Sequence, residues 1–205
     1  MDPSRIVRSG YDAIADRYLN ARLRGIDQLP LLGDFVRATP KGATVLDAGC
    51  GAGLPITAHL ASSFHVVGVD FSLAQLRLAK ELVPNAHFIC QDLSALGLTS
   101  ASIDGICSFY SIIHIPRSHH PHVLRDLYRI LRPKGVALLC LGAEDLPEEV
   151  GEYQGVPMFW SHFDANTYLK MLSNIGFVVM RDDLIPDPID ATGSHLFVLG
   201  GKPGA

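Results

Sequence analysis

The sequence predicts an α/β fold built on a doubly wound, mostly parallel sheet. From Ala43 onward, short apolar runs rich in β-branched residues alternate with amphipathic segments, which is the pattern of a parallel sheet covered by helices. The last two predicted strands are joined only by residues 184–194, a stretch with two prolines and no helical pattern. A parallel pair needs a crossover of about a dozen residues, usually helical. We therefore expect the final strand to run antiparallel to its neighbour.

The remaining strands and helices are predicted from hydrophobic periodicity and from residues that favour helix ends. Ser72 and Asp164 are suitable N-cap residues, Pro121 opens a helix, and Gly176 closes one as a C′ residue. The predicted strands are 44–46, 65–69, 86–90, 105–110, 136–142, 177–182 and 195–200, and the helices between them include 73–83, 122–132 and 165–175.

Two segments outside the predicted sheet are candidates for covering its edge. The N-terminal part contains a helix at 11–22, and Asp27 with Pro30 marks the start of a second at 27–38. Because both precede the first strand, we expect them to lie across the carboxyl edge of the sheet as a lid. Residues 143–162 follow the fifth strand, and we expect an irregular segment there.

Composition and charge suit one ordinary globular domain. The chain has 205 residues, a net charge of −4, 48% hydrophobic residues and 19% charged residues. There is no basic footprint for nucleic acid, and we interpret Arg17, Arg22 and Arg24 as the polar face of a helix. No apolar run approaches the roughly 18 to 20 residues that span a bilayer, and the N-terminus lacks the apolar core of a secretory signal. We therefore predict a cytoplasmic protein without a membrane partner and disfavour nucleic acid as substrate.

The cysteines and histidines do not predict a metal site. His119, His120 and His122 are crowded into SHHPH, but neighbouring residues at a helix start diverge, so we interpret them as solvated surface histidines. The four cysteines form no CxxC pair, and three fall in predicted strands, which favours reduced core thiols over disulfides or metal ligands; they are Cys50, Cys90, Cys107 and Cys140.

The strongest functional signal is VLDAGCGAG, residues 45–53, in which an apolar strand ends in Asp47 and runs into a glycine-rich turn. Glycines let the backbone turn sharply and approach a ligand without a Cβ in the way, and the next helix points its N–H groups at the same place. Dinucleotide-binding turns have the spacing G-x-G-x-x-G, which would require glycine where the chain has Leu54. A carboxylate also suits the ammonium group of a bound amino acid better than a pyrophosphate.

Two more acidic residues end the next two predicted strands. Asp70 closes VVGVD about 19 residues after Gly51, the distance at which an acidic side chain meets ribose hydroxyls. Gln91 and Asp92 follow the third strand and could accept from an adenine amino group. Because ligands of open α/β sheets bind outside the carboxyl ends of strands, three successive acidic strand ends predict a nucleoside-binding site.

These motifs resemble those of class I S-adenosylmethionine-dependent methyltransferases. The resemblance rests on VLDAGCGAG, VVGVDFS, the QDL after the third strand and the LRPKG before the fifth, and it covers residues 44–142. SHLFVLGGKP is similar to the antiparallel last strand of that family, and YDAIADRY to a cofactor-covering helix of its small-molecule subgroup. The family implies a seven-stranded sheet in the order 3-2-1-4-5-7-6. It also implies lid helices at 1–40, a cofactor-binding half at 41–142 and an acceptor-side half at 143–205 within one domain.

The resemblance also implies roles for individual residues. Gly49 and Gly51 would lie under the methionine part of the cofactor, Asp47 near its amino group, and Asp70 on the ribose. The positions expected around S-adenosylmethionine are Tyr11, Tyr18, Asp47, Ala48, Gly49, Cys50, Gly51, Asp70, Phe71, Gln75, Gln91, Asp92, Leu93 and Phe109. For Tyr11 and Tyr18, packing as core aromatics at helical spacing is the alternative.

A sulfonium carries its own activated methyl group, so an in-line displacement onto a small-molecule acceptor needs no metal, and the protein mainly orients the reactants. Within residues 108–117, His114 is the candidate catalytic base or acceptor anchor, with a structural histidine bonded to backbone as the alternative. The SFYS of this stretch departs from the N-P-P-Y pattern of enzymes that methylate amino groups of nucleic acids. Trp160 and His162 either line an acceptor pocket or seal the core.

Two other functions remain open at this point. The first is a nicotinamide-dependent oxidoreductase, which Leu54 and the lack of a recognisable catalytic set disfavour. The second is a module that binds the cofactor without turnover, against which the intact glycine-rich motif argues.

Overall fold

The computed structural model describes residues 2–24, 29–187 and 193–204. Its central sheet has seven strands in the order β3-β2-β1-β4-β5-β9-β8. These strands are β1 (Thr44–Ala48), β2 (His65–Asp70), β3 (His87–Cys90), β4 (Ile103–Ser108), β5 (Leu131–Gly142), β8 (Val178–Pro186) and β9 (Ser194–Gly201). Adjacent strands among β1 to β5 are parallel, and β9 is antiparallel to both β5 and β8. Numbered among themselves, the seven strands have the order 3-2-1-4-5-7-6, so the predicted fold class and the antiparallel last strand are confirmed.

Helices cover both faces of this sheet. They are α1 (Pro3–Arg24), α2 (Leu29–Ala38), α3 (Ile56–Leu60), α4 (Leu73–Leu82), α5 (His120–Ile130) and α6 (Ala165–Ile175). One core contains buried residues of α5 and α6, and the other contains buried residues of α2 and α3. The predicted helix ends are confirmed, because the Ser72 side chain accepts from the amide of Gln75, Asp164 accepts from the amide of Thr167, and Gly176 is left-handed with φ 115°.

Only one of the two N-terminal helices lies near the carboxyl edge. In α2, the fully buried Leu32 and Phe35 pack on one face of the sheet, where a Cβ on Gly105 would lie 2.8 Å from the Phe35 ring. The expectation that both helices form a lid is therefore wrong for α2, whose apolar stripe is used by the core. The predicted start at Asp27 lies outside the described residues.

The segment expected to be irregular, 143–162, instead forms a hairpin of β6 (Leu146–Tyr153) and β7 (Val156–His162). Its two-residue turn, Gln154 and Gly155, has positive φ at both positions, 52° and 80°, as a type I′ turn requires. Sequence reasoning missed the hairpin because three glutamates and a glycine give β6 a low strand propensity.

The hairpin and α1 share a small core of their own. Val7 and Ile14 of α1 pack with Met158 and Phe159 of β7. Gly10 makes this close approach possible, since a Cβ there would lie 2.9 Å from the Pro157 carbonyl oxygen. The unit of α1 and the β6–β7 hairpin therefore lies beside the central sheet as a distinct packing layer.

Two further predictions from the sequence concern the burial of the cysteines and membrane-spanning helices. Cys107 and Cys140 are buried, as expected for core thiols, but Cys90 is exposed because β3 is the edge strand. In the described ranges, no helix is both long and apolar enough to cross a membrane.

Candidate active site

The glycine-rich turn after β1 lies at the carboxyl edge of the sheet and has a backbone that only glycine accommodates well. Gly49, Gly51 and Gly53 have φ of 83°, 52° and 80°. Gly49 is also crowded, because a Cβ at this position would overlap the Cβ of Ser111. The Ser111 hydroxyl in turn donates to the Ala48 carbonyl oxygen at 2.9 Å. Buried Ala48 therefore connects the turn to the loop after β4, the neighbouring strand.

Asp70, at the end of β2, holds the glycine turn and the start of α4 together. Its two carboxylate oxygens accept from the amides of Gly51 and Ser72, each at 2.9 Å. Burial raises the pKa of this carboxyl, and the backbone hydrogen bonds oppose the rise. The bonds fix the carboxylate at the rim of a cleft, where it remains able to accept from a ligand.

Asp47, at the end of β1, lies deeper than Asp70. Only 2% of its surface is exposed, and its carboxylate accepts from the Thr57 hydroxyl at 2.6 Å. Burial raises the pKa of Asp47 to about 7. A small recess beside the cleft is lined by Asp47, Cys50, Gly51 and also Arg22 of α1. A carboxylate with so high a pKa is poised to ionise when a cationic group enters this recess.

The opposite end of the cleft is formed by residues that follow β3. Asp92 accepts from the amide and hydroxyl of Ser94, which shapes a short 3₁₀ turn containing Leu93. Gln75 of α4 lies nearer the glycine turn, where a Cβ on Gly51 would be 3.7 Å from its Oε1. It is 1% exposed, and neither polar atom of its side-chain amide has a hydrogen-bond partner among the described residues. Buried unpaired amides are costly, so a ligand that bonds to this group would stabilise the site.

Most of the predicted positions therefore border one cleft. Asp47 and Cys50 border the adjoining recess, and Ala48 contributes only its buried backbone. The predicted positions that line the main cleft are Tyr11, Tyr18, Gly49, Gly51, Asp70, Phe71, Gln75, Gln91, Asp92, Leu93, Phe109 and His114.

His114 is held on both ring nitrogens. Nδ1 lies 2.7 Å from the carbonyl oxygen of Phe159, which can only accept, so Nδ1 donates. Burial lowers the pKa of His114 to about 4, and the neutral ring must then accept at Nε2 from the Tyr11 hydroxyl, 2.8 Å away. His114 therefore joins α1, β7 and the loop after β4, and its basic nitrogen is already occupied.

A second cavity, which we call the chamber, opens beside the cleft. Tyr11, Tyr18, Tyr110 and His114 border both spaces, so the two meet at these residues. The chamber is lined by α1, the loop after β4, the residues between β5 and β6, the β6–β7 hairpin, and residues 187 and 193–195. Its other lining residues are Arg22, Ile113, Glu144, Asp145, Leu146, Glu149, Glu152, Tyr153, Trp160, His162, Asp187, Gly193, Ser194 and His195.

Residues 45–135 match a family model described as a methyltransferase domain. Over this range the chain is similar to class I S-adenosylmethionine-dependent methyltransferases. A malonyl-[acyl-carrier protein] O-methyltransferase from Pseudescherichia vulneris is 33% identical over 128 residues, which are 62% of this chain and 49% of that relative, so the chain spans about half the relative's length.

Solved structures share the fold of this chain. A TehB-like SAM-dependent methyltransferase from Corynebacterium glutamicum has a TM-score of 0.71 at 21% identity, covering 95% of this chain and 98% of the other. The [4+2]-cyclase SpnF has a TM-score of 0.75 at 16% identity, covering 97% and 95%. Sequence identities this low establish the shared fold alone, and the function of the site depends on its own residues.

Three residues that border or support the candidate site were not predicted from the sequence. Arg22 was interpreted as part of a polar helix face, yet it lines both the recess and the chamber. Asp12 accepts from the Ser72 hydroxyl at 2.6 Å and from the amide of Ala74 at 3.1 Å, so it ties α1 to the start of α4. Ser111 supports the glycine turn. Nothing in the local sequence distinguishes these side chains from ordinary surface or loop residues.

The interpretation of the SHHPH histidines is wrong for His120. Its Nε2 donates to the Ile115 carbonyl oxygen at 2.7 Å, and its Nδ1 accepts from the Tyr168 hydroxyl at 2.6 Å. Burial lowers the pKa of His120 to about 4. His119 and His122 are exposed, and no group of three or more potential metal ligands occurs among the described residues.

Proposed function

We propose that this chain binds S-adenosylmethionine in the cleft and transfers its methyl group to a small molecule held in the chamber. The observation that carries the proposal is the combination of a left-handed glycine turn, acidic ends on β1 and β2, and the unpaired Gln75 amide around one cleft. Each feature has a ligand counterpart, since the cofactor has an amino acid end, two ribose hydroxyls and an adenine ring.

The residues present fit this cofactor. Gly49 and Gly51 leave room for the ligand against the backbone, and Asp47 with Arg22 offers a carboxylate and a guanidinium to the ammonium and carboxylate of the methionine part. Asp70 would accept from the ribose hydroxyls. Asp92 and Leu93 at the far end would bind the adenine, together with Gln75 and Phe71. When bound, the sulfonium supplies an activated methyl group.

For methyl transfer, the protein's own contribution is orientation and exclusion of water. Tyr11, Tyr18, Tyr110 and His114 surround the junction of cleft and chamber, and we assign them the alignment of the acceptor with the methyl group. His114 acts as a positioning residue in this proposal, because its pKa of about 4 and its bond from Tyr11 make it a poor proton acceptor. The acceptor must therefore be nucleophilic without help from His114.

The residues at the junction do not by themselves specify the acceptor. The names of two relatives specify different acceptors, malonyl-[acyl-carrier protein] and demethylmenaquinone. We propose a small-molecule acceptor for this chain because the chamber is enclosed by α1 and the hairpin. The cytoplasmic location and the absence of a nucleic acid partner stay predictions.

The test is calorimetric titration with S-adenosylhomocysteine and, separately, with NAD. We expect binding of S-adenosylhomocysteine in the micromolar range and a ligand-dependent rise in thermal stability. Asp70→Ala should lower that affinity by about 1–3 kcal/mol. The matched control is Asp104→Ala, which also removes a carboxylate that accepts a backbone amide, at 2.8 Å from Thr44, but does so outside the cleft.

Equal affinities for the two variants would remove Asp70 from the site. Binding of NAD in place of S-adenosylhomocysteine would replace the proposed function with that of an oxidoreductase. Binding of S-adenosylhomocysteine together with no methyl transfer to any compound in an acceptor screen would favour a non-catalytic module.

A further inference from the structure

The wall of the chamber formed by the hairpin combines aromatic rings with a carboxylate. Glu149 of β6 lies directly across from Trp160 of β7. Two residues further along β6, Gly151 lets the Trp160 ring lie close to the strand, since a Cβ there would be 3.2 Å from that ring and 3.7 Å from Glu149 Oε1. The ring of Tyr153 stands edge-on to Trp160 with centroids 6.4 Å apart. We call Tyr18, Glu149, Tyr153 and Trp160 the cage.

The cage continues to the junction with the cleft. Tyr18 of α1 lies 6.3 Å from Tyr153, centroid to centroid, and borders both cavities. Trp160 lies 6.0 Å from the ring of His114. A ligand group held among these rings would therefore lie beside the place where the acceptor meets the cofactor.

The charges around the chamber favour a cation. Five carboxylates line it, those of Glu144, Asp145, Glu149, Glu152 and Asp187, against the two cationic side chains Arg22 and His195. Burial opposes charging of His195, but the hydrogen bond to Asp187 raises its pKa to about 10. The positive charge of His195 therefore cancels the negative charge of Asp187. Asp145 is paired with Arg117 at 2.6 Å.

The three glutamates of the chamber, by contrast, make no ion pair within the described ranges. Glu149 and Glu152 are exposed at its mouth. Arg22, the remaining cation, lies 4.9 Å from the centroid of the Tyr110 ring, and Tyr110 is not part of the cage. The chamber therefore has a surplus of negative charge, concentrated on the hairpin side.

We infer that the cage binds a cationic nitrogen, so that the acceptor is a small molecule carrying a protonated or quaternary amine. Aromatic faces attract cations through their quadrupole, and a neighbouring carboxylate adds Coulomb attraction. The same acidic mouth repels carboxylate and phosphate compounds and raises the local concentration of cations. The inference rests on the proposed function, because it treats the chamber as the acceptor site.

The experiment compares three probes of similar shape on protein saturated with S-adenosylhomocysteine. They are 2-phenylethylammonium, 2-phenylethanol and 3-phenylpropanoate, and calorimetry or ligand-observed NMR gives their affinities. We expect the ammonium probe to bind at least about tenfold more tightly than the other two, with an advantage that shrinks as salt is added. Equal or tighter binding of the alcohol or the carboxylate would overturn the inference.

Variants assign the effect to the cage. Glu149→Gln should reduce binding of the ammonium probe about three- to tenfold and leave 2-phenylethanol unchanged, because only the charge is removed. Trp160→Leu should weaken the ammonium probe, and Trp160→Phe should retain most of its binding. Glu81→Gln, on the exposed surface of α4, is the matched control. If Glu149→Gln behaves as Glu81→Gln does, the cage does not bind the cation.

The probes also separate this inference from the proposed function. If S-adenosylhomocysteine binds but the ammonium probe has no advantage, the inference fails and the proposed function stands. If S-adenosylhomocysteine does not bind, the proposed function fails, and the same titrations on the ligand-free protein decide whether the cage selects cations.

Discussion

The cleft and the chamber of this protein are built in different ways. In the cleft, the acidic groups lie at the ends of neighbouring parallel strands, so a few residues around each strand end fix their positions. The chamber is formed by residues of α1, the loop after β4, the β6–β7 hairpin and the start of β9, which are far apart in sequence. A site assembled from strand ends can be recognised from a local sequence pattern. A site assembled by packing of distant segments has no such pattern.

The prediction with the largest expected effect tests whether ligand binding in the cleft depends on the backbone of the glycine-rich turn. Gly49 and Gly42 both have positive φ, 83° and 71°, but a Cβ on Gly49 would overlap Ser111, and one on Gly42 would have nothing within 4 Å. Gly42→Ala should cost about 1–2 kcal/mol of stability from the strained φ alone. Gly49→Ala should cost about 1–3 kcal/mol more and abolish detectable S-adenosylhomocysteine binding.

Chemical denaturation and calorimetry on the two variants check this. The double variant Gly49→Ala, Ser111→Gly removes the overlapping side chain and should recover part of the lost stability. Equal losses for Gly42→Ala and Gly49→Ala would show that the close approach to Ser111 has no role in the site.

The sequence predicted the cleft far better than the chamber, and particular residues show why. Gly49, Asp70 and Asp92 follow directly from strand ends and turn chemistry. Asp12 does not, because its partner Ser72 is 60 positions away. Likewise, the bonds of His114 to Tyr11 and Phe159 span 103 and 45 positions. Such contacts depend on how α1 and the hairpin pack together, and the local hydrophobic periodicity of the sequence does not encode this packing.

The hairpin could have been predicted in part. The two-residue turn at Gln154 and Gly155 was available, but the usual signal has Asn or Asp where this chain has Gln154. The missed strands then hid the face on which Trp160 and Glu149 lie together. In contrast, the edge position of β3, which exposes Cys90, was implicit in the strand order itself.

The next-largest effect concerns how the affinity for S-adenosylhomocysteine depends on pH, because Asp47 is buried in the recess. Because burial raises the pKa of Asp47 to about 7, this carboxyl is protonated in the free protein at pH 6. The ammonium group of S-adenosylhomocysteine favours the ionised form, so binding releases this proton. The affinity should therefore rise as the pH increases, by up to about tenfold per unit between pH 5 and 7, and level off above.

Calorimetry in buffers of different ionisation enthalpy measures the released proton. Asp47→Asn should bind more weakly and lose this pH dependence. The same raised pKa means that the ionised carboxyl destabilises the free protein, so without ligand Asp47→Asn should gain stability relative to the wild type as the pH rises from about 4 to 7. A wild-type affinity that is flat over this range would place the ammonium group away from Asp47.

The smallest effect tests whether the chamber wall can be altered without affecting the cleft. Gln154 has φ 52°, a conformation that Asn tolerates better than Gln. Gln154→Asn should therefore stabilise the protein by about 0.5 kcal/mol, and Gly155→Ala, at φ 80°, should destabilise it by about 1 kcal/mol. Neither residue borders the cleft, so S-adenosylhomocysteine should bind both variants as it binds the wild type. Thermal denaturation and calorimetry measure the two quantities. If instead the affinity changes together with the stability of the hairpin, the packing of α1 on β7 transmits the change, and cleft and chamber form one cooperative unit.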